Sequence, residues 1–224
     1  MHPSPVWLFD LDNTLHDTSA AIAPEVSRRM TAYIERRFNL SRDEADRLRA
    51  QLWTRYGATL QGLVRLYGIE PGEFLHEVHD LDDFDRLVRS ARGVLHALKK
   101  LPGRKILFTN GPRAYAQKLL FHLGIEAQFH RQYMIEDMVM HGRLRAKPSR
   151  SFLAHLCARE RIDPRRCIFV EDSLPNLKSG RYLRIKAVLV TGMSFRRRLI
   201  ARPHYVGLKV KSAAHLPRAI ARLR

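Results

Sequence analysis

The stretch Val6-Trp7-Leu8-Phe9-Asp10-Leu11-Asp12-Asn13-Thr14-Leu15, VWLFDLDNTL, decides the fold. Its first half is an apolar run without strict alternation, the pattern of a strand buried on both faces. The run then meets two carboxylates two residues apart. An unpaired charge at the edge of a core is expensive, so something in the protein, or bound to it, must draw two negative charges to this strand end. Residues i and i+2 of an extended segment point the same way, which predicts that Asp10 and Asp12 share one face.

Beyond this strand the pattern turns helical. Thr18 or Ser19 is expected to cap a long helix running towards Phe38. Ser41 followed by Glu44 is a capping box for a helix that stops at Gly57. Thr59 to Tyr67 and Pro71 to His79 read as two short helices, and FDRLVRSARGVLHALKKL, from Phe84, as another. Strands resume with KILFTNG (Lys105 to Gly111), RCIFVED (Arg166 to Asp172) and IKAVLVTG, separated by a helix, AYAQKLLFHLGI, ending at Gly124. Strands alternating with helices predict a parallel sheet covered on both faces. The expected fold is α/β: a Rossmann-like, doubly wound parallel core interrupted after its first strand by a helical insertion. Residues 1–16 and 91–224 form the predicted core, and 17–90 the insertion.

Bulk composition fits this reading. The 224 residues are 45% apolar and 28% charged, values of a globular chain. There is neither an apolar run long enough for a membrane span nor a secretion-signal pattern. Cys157 and Cys167 lack metal-site spacing and read as free buried thiols, so a cytoplasmic location is expected. The charge is less ordinary, at +18 with a pI near 10.7. No acidic residue follows Asp172, and that segment carries Lys178, Arg181, Arg184, Lys186, Arg196, Arg197, Arg198 and Arg202. By contrast, Glu70 to Asp85 is strongly acidic. A basic surface attracts phosphorylated partners from mononucleotides to nucleic acid. A solvated arginine-rich surface with no dedicated partner fits the composition equally well.

Parallel sheets bind ligands outside the carboxyl ends of their strands. The polar residues predicted there are Asp10, Asp12, Thr109, Asn110, Glu171 and Asp172, with the helical insertion above them as a lid. Carboxylates on such loops suit Mg²⁺, which prefers oxygen ligands; Asp172 is the natural third carboxylate. A carboxylate can attack phosphorus as a nucleophile, while a second one two residues on exchanges protons with the leaving oxygen and with water. Thr109 offers a donor for phosphoryl oxygens, and Lys147 a charge for the transition state.

Four segments, DLDNT (Asp10 to Thr14), FTNG (Phe108 to Gly111), KP (Lys147-Pro148) and VEDSLPN (Val170 to Asn176), resemble the ordered motifs of the haloacid dehalogenase superfamily. The helical insertion stands where subfamily I carries its C1 cap. The resemblance implies Asp10 as nucleophile, Asp12 as general acid/base, and Thr109 and Lys147 as phosphoryl-binding residues, with Asn110 beside them. It implies Mg²⁺ held by Asp10, the backbone carbonyl of Asp12, and Asp172. Members that cleave carbon–halogen bonds lack an acid two residues after the nucleophile, so Asp12 implies phosphate-ester hydrolysis.

Within the superfamily the chain resembles pyrimidine 5′-nucleotidase-like members, through FDLDNTL, YGATLQGL, HDLDDF, LPGRKILFTNG and EDSLPNL. The implied substrate is a small phosphate monoester, a pyrimidine nucleoside 5′-monophosphate first, with sugar phosphates or phosphoglycolate-type esters as the alternative. A basic nucleic-acid-binding protein on the same fold is the reading from a different class. Asn176 replaces a frequent aspartate and is able to orient a metal-bound water. Ser149 and Arg150 follow Lys-Pro where a more acidic sequence is expected. Glu171 either reaches the metal through water or pairs with a cation. Tyr56, Thr59 and His79 face either the substrate or the core of the insertion. Base preference, ribose type and oligomeric state are not readable from the sequence.

Overall fold

The computed structural model describes residues 4–82, 84–88, 93–192 and 201–223. Strand β1 (Val6–Phe9) is central in a six-stranded sheet, flanked by β2 (Arg104–Phe108) and β6 (Cys167–Glu171). Outside these lie β3 (Arg131–Tyr133), β7 (Lys186–Val190) and β8 (Leu208–Val210), giving the order β3-β2-β1-β6-β7-β8, parallel throughout. A short antiparallel hairpin, β4 (Val139–Met140) with β5 (Arg143–Leu144), stands apart from the sheet.

Strand alternation builds two cores. Trp7, Phe9 and Leu107 enter one apolar cluster with α6 (Val94–Lys100) and α7 (Arg113–His122). Leu8, Ile106, Phe108 and Phe169 enter the other with α8 (Arg150–Arg159) and α9 (Leu174–Arg181). Both faces are therefore covered, as the continuous apolar reading of β1 requires. Cys157 and Cys167 are free and buried in the second cluster, where burial pushes the Cys157 thiol up to about 11.

Helices α1 (Ile22–Phe38), α2 (Arg42–Tyr56), α3 (Thr59–Tyr67) and α4 (Pro71–His79) enclose a third cluster around Tyr33, Ile34, Leu52, Leu63 and Phe74. Ile135 and Ala146 of the sheet region complete it. The Ser41–Glu44 capping box is present, and Gly57 ends α2 with φ of 81°. Leu81 and Phe84 pack instead with the sheet, so apolar packing divides the insertion from the core nearer residue 80 than 90.

Two expectations about elements change. Neither Thr18 nor Ser19 caps α1; its N-cap is Ala21, and the hydroxyls serve the loop before it, Thr18 on Asp12 and Ser19 on Asn13. The helix expected from Phe84 is two pieces, α5 (Phe84–Leu87) and α6, which starts after Gly93 at φ of 82°; residues 89–92 between them lie outside the described residues. Arg196, Arg197 and Arg198 also lie outside them. A last short helix, α10 (Leu216–Ala219), packs against α6. Among the described residues no helix is long and apolar enough to cross a membrane.

Candidate active site

The strand order reverses direction around β1, so its carboxyl end is the switch point at which an open α/β sheet leaves a crevice. Asp10 sits in the first position past β1, its amide bonded to the carbonyl of Val170 on β6. That bond holds the loop in line with the sheet and keeps the carboxylate inside, 5% exposed. Thr14 donates to its Oδ2 at 3.0 Å, and Lys147 Nζ lies 2.6 Å from its Oδ1.

Lys147 arrives from the segment after β5 and is itself buried. Its ammonium bridges Asp10 and Glu171, the latter at 2.8 Å. Asn110, on the turn after β2, grips the lysine's backbone from both sides. Its Oδ1 accepts from the Lys147 amide at 2.9 Å and its Nδ2 donates to the Lys147 carbonyl at 3.1 Å. The Asn110 carboxamide thus fixes the lysine loop. Thr109 is 1% exposed, and its hydroxyl oxygen accepts from the amide of Gly111 at 2.9 Å. That bond leaves the hydroxyl hydrogen free to donate elsewhere.

Glu171, the last residue of β6, takes the amides of Asp172 and Ser173 on Oε1 and the Asn176 carboxamide on Oε2. Of the two alternatives for Glu171, pairing with a cation is realised, through Lys147. Asn176 serves this glutamate. Single carboxylate oxygens of Asp10, Glu171 and Asp172 lie within 4.8 Å of one another. The set is all oxygen, the chemistry that Mg²⁺ takes.

Asp12 points elsewhere. Its Oδ1 accepts from Tyr115 at 2.6 Å, from His16 Nε2 at 3.0 Å and from Thr18 at 3.1 Å. The side chain keeps 32% exposure and lines the crevice with Asp10. Two carboxylates two residues apart therefore live in opposite environments. Burial, then the charge of Glu171, raises Asp10 to about 7 against the opposing pull of Lys147. Burial also disfavours charge on Asp12, but its donors from His16, Tyr115 and Thr18 outweigh it and hold this carboxyl below its ordinary range. Lys147 is raised: burial opposes its charge, yet Asp10 and Glu171 more than compensate.

The sequence reading missed His16 and Tyr115. His16 is buried and lies four residues after Asp12; Tyr115 is 103 residues away and reaches Asp12 only through the fold. A polar residue in the first turn of the helix after FTNG was the one available signal. Tyr115 also contacts His79 of α4 ring to ring at 5.4 Å and Phe84 at 6.0 Å.

Above these residues lies a crevice of about 830 Å³. The sheet supplies Asp10, Asp12, Thr109, Lys147 and Asp172, and the helices supply an apolar and aromatic wall that includes Met30, Trp53, Leu60 and Phe74. Tyr56, Thr59 and His79 all line it. Burial lowers His79 and favours the neutral ring, whose Nδ1 bonds the Leu75 carbonyl. Gly57 abuts Pro148 so closely that an added Cβ would lie 2.7 Å from the proline Cδ.

A family model described as haloacid dehalogenase-like hydrolase matches residues 6–183. The fold is similar to a haloacid dehalogenase (HAD) phosphatase of Thermococcus onnurineus, with a TM-score of 0.64, 17% identity and 96% of each chain covered. It is also similar to YfnB of Bacillus subtilis, a HAD-hydrolase bound to magnesium, with a TM-score of 0.62, 14% identity, and 96% of this chain and 97% of that one covered. L-2-haloacid dehalogenase of Xanthobacter autotrophicus gives a TM-score of 0.60 at 15% identity, covering 99% of this chain and all of that one. Among curated proteins, phosphate metabolism protein 8 of Saccharomyces cerevisiae is 27% identical over 132 residues, 55% of this chain. The match spans 41% of that protein's length.

Proposed function

This chain belongs to the haloacid dehalogenase-like hydrolase family, and on that premise we propose that it is a Mg²⁺-dependent phosphatase of small phosphate monoesters, with a pyrimidine nucleoside 5′-monophosphate as preferred substrate. The observation that carries the reading is the pairing at one strand end of Asp10, clamped beside Lys147, with Asp12, held apart by Tyr115, His16 and Thr18. Its structural neighbours include both phosphatases and dehalogenases. A second carboxylate is needed where an alkoxide leaves and superfluous where a halide does.

In the proposed reaction an Asp10 carboxylate oxygen attacks phosphorus, and the phosphorus–oxygen bond to the leaving group breaks as the new bond forms. Asp12 gives its proton to the departing oxygen. With Oδ1 engaged by three donors, Oδ2 is the oxygen left to carry it. The donors hold Asp12 ionised at rest, and the approach of a phosphate dianion raises its proton affinity. Water then attacks the aspartyl phosphate, Asp12 takes up its proton, and phosphate and the Asp10 carboxylate are regenerated. Lys147 and the Thr109 hydroxyl stabilise the equatorial phosphoryl oxygens.

Mg²⁺ suits Asp10, Asp172 and the Asp12 carbonyl, and when bound would neutralise charge on the phosphoryl oxygens. Three clustered carboxylates against one buried ammonium leave a surplus negative charge that such a cation would relieve. The crevice is of a size to hold a nucleotide, and its aromatic wall suits a base.

The test is phosphate release from a panel of nucleoside monophosphates and sugar phosphates, with and without Mg²⁺, alongside Asp10→Asn. Release that needs Mg²⁺, prefers UMP or CMP and falls by about 10⁴-fold or more in the variant supports the reading. Preference for a sugar phosphate keeps the chemistry and moves the substrate. Absence of release from every ester overturns both.

A further inference from the structure

The cations of this chain are not spread evenly over its surface. In a parallel sheet every strand starts at the edge opposite the crevice, and here four of the six strands, β2, β3, β6 and β7, start on or just after cations. Arg104 opens β2 and Arg131 opens β3, Arg165 and Arg166 immediately precede β6, and Arg184 and Lys186 lead into β7. Helices α8 and α9 run back to the same edge and end in Arg159 and Arg181. Arg161 follows α8.

Part of this has a local explanation. Cations in a last helical turn answer the helix dipole, which accounts for Arg159 and Arg181. Arg104 and Arg131 face Glu160, a largely buried acid. Arg161, Arg165, Arg184 and Lys186 are exposed, and among the described residues none of the four has an acidic side chain in salt-bridge range. Asp163, at the same edge, is occupied in capping the turn before β6, and a further carboxylate, Glu126, lies in the turn leading into β3.

Between the two basic flanks, beneath β1, the residues are small. Pro5 and Gly103 meet so closely there that a Cβ on Gly103 would overlap the Pro5 carbonyl. The result is a depression of about 530 Å³, rimmed by Arg104, His130, Arg161 and Arg166. Neighbouring strands lie about 4.8 Å apart, so the row from β3 to β7 extends over roughly 19 Å, the length of a few nucleotides. Tyr182 follows directly on Arg181 at the end of α9 and is 58% exposed, one face of its ring being covered by the Arg150 guanidinium at 3.5 Å.

The geometry points to a binding surface for a single-stranded nucleic acid on the strand-start edge of the sheet, opposite the crevice. Spaced cations follow a phosphate backbone, and the face of the Tyr182 ring that Arg150 leaves uncovered offers a stacking surface that an unpaired base can use. A basic tail is not required: residues from Arg104 to Lys186 contribute, most of them before the acid-free segment. The inference does not depend on the phosphatase reading.

The experiment is fluorescence anisotropy of a labelled 15-mer oligo-dT against the full chain between 50 and 200 mM NaCl. The face variant is Arg161→Gln/Arg165→Gln/Lys186→Gln. The control, Lys211→Gln/Arg218→Gln/Arg222→Gln, removes the same charge from the acid-free segment. The face variant should lower the slope of log K against log salt by about 2, since each phosphate contact contributes roughly 0.7 for single strands. The control should leave the slope unchanged.

Arg161→Lys/Arg165→Lys should bind as the parent does, and Tyr182→Ala should weaken binding roughly tenfold at an unchanged slope. Circular dichroism of each variant confirms folding. Absence of binding, or an equal fall in face variant and control, overturns the assignment. So does binding to vesicles of anionic phospholipid without binding to the oligonucleotide.

Discussion

The floor and the roof of the crevice are built on opposite rules. The floor is a closed polar network: Asp10, Lys147 and Glu171 are each 5% exposed or less, and each bonds to another member of the set. The roof, made by α1 to α4, presents a mainly apolar and aromatic wall inward, interrupted by Arg49 and Arg55, and carries exposed ion pairs such as Glu25 with Arg28. Buried charges hold one another in a single arrangement because each would be stranded without its partners. An apolar wall tolerates reshaping, since packing energy has little directionality. Fixed chemistry below and adjustable selectivity above is the division that this contrast teaches.

The largest effect should come from breaking the floor. Lys147→Met leaves Asp10 and Glu171 facing each other without their ammonium and should lower stability by about 3–5 kcal/mol. Urea unfolding at pH 8 reads this, and added Mg²⁺ should recover part of the loss. An equally stable variant would mean that the floor is not a cooperative network.

The pH response should be next in size. Asp10 is raised to about 7, so a proton competes with a cation for it below that value. Apparent Mg²⁺ affinity, measured by titration calorimetry, should fall up to about tenfold per unit as pH drops below 7 and level off above it. For the metal-free chain the sign reverses. The folded carboxyl binds its proton more tightly than the unfolded one, so its contribution to folding is full below about pH 4, declines as pH rises from there and is gone above about 7.

On the roof, Tyr56→Ala should raise KM severalfold while leaving kcat close to the parent value, because it removes contact made equally in ground and transition states. A matching loss in kcat would place this residue with the floor. The smallest effect belongs to the outer ion pairs. Glu25 is drawn down to about 2, first by its hydrogen bond to Arg28. Whatever it adds is present above the ordinary carboxylate range and lost as pH falls towards 2, yet exposure to water screens it. Glu25→Gln should leave the urea midpoint at pH 7 within error.

The same contrast explains what was readable beforehand. The strand β1 and the residues of the floor stand in short runs whose local pattern and order carry the information. The thin outer strands do not. Arg131–Tyr133 and Leu208–Val210 are three residues each, too short for any alternation to register, and pairing with neighbours alone makes them strands. Thr18 carries a good capping hydroxyl, but Asp12 takes it, a competition that only tertiary placement decides. Tyr115 was invisible as a partner of Asp12 because nothing local ties residues so far apart. The sharing of Lys147 between two acids was likewise beyond reach, although the spacing of Glu171 and Asp172 did put both at the right strand end.

Ile135 and Ala146 belong by sequence to the sheet region, yet they seal the apolar interior of α1 to α4. For anyone wishing to graft a different roof onto this hydrolase, that detail sets the rule. The exchanged piece is not defined by its two cut points alone. A donor roof must bring a surface fitted to those two side chains, or carry its own versions of them, or the chimera will expose an oily seam where the two halves meet.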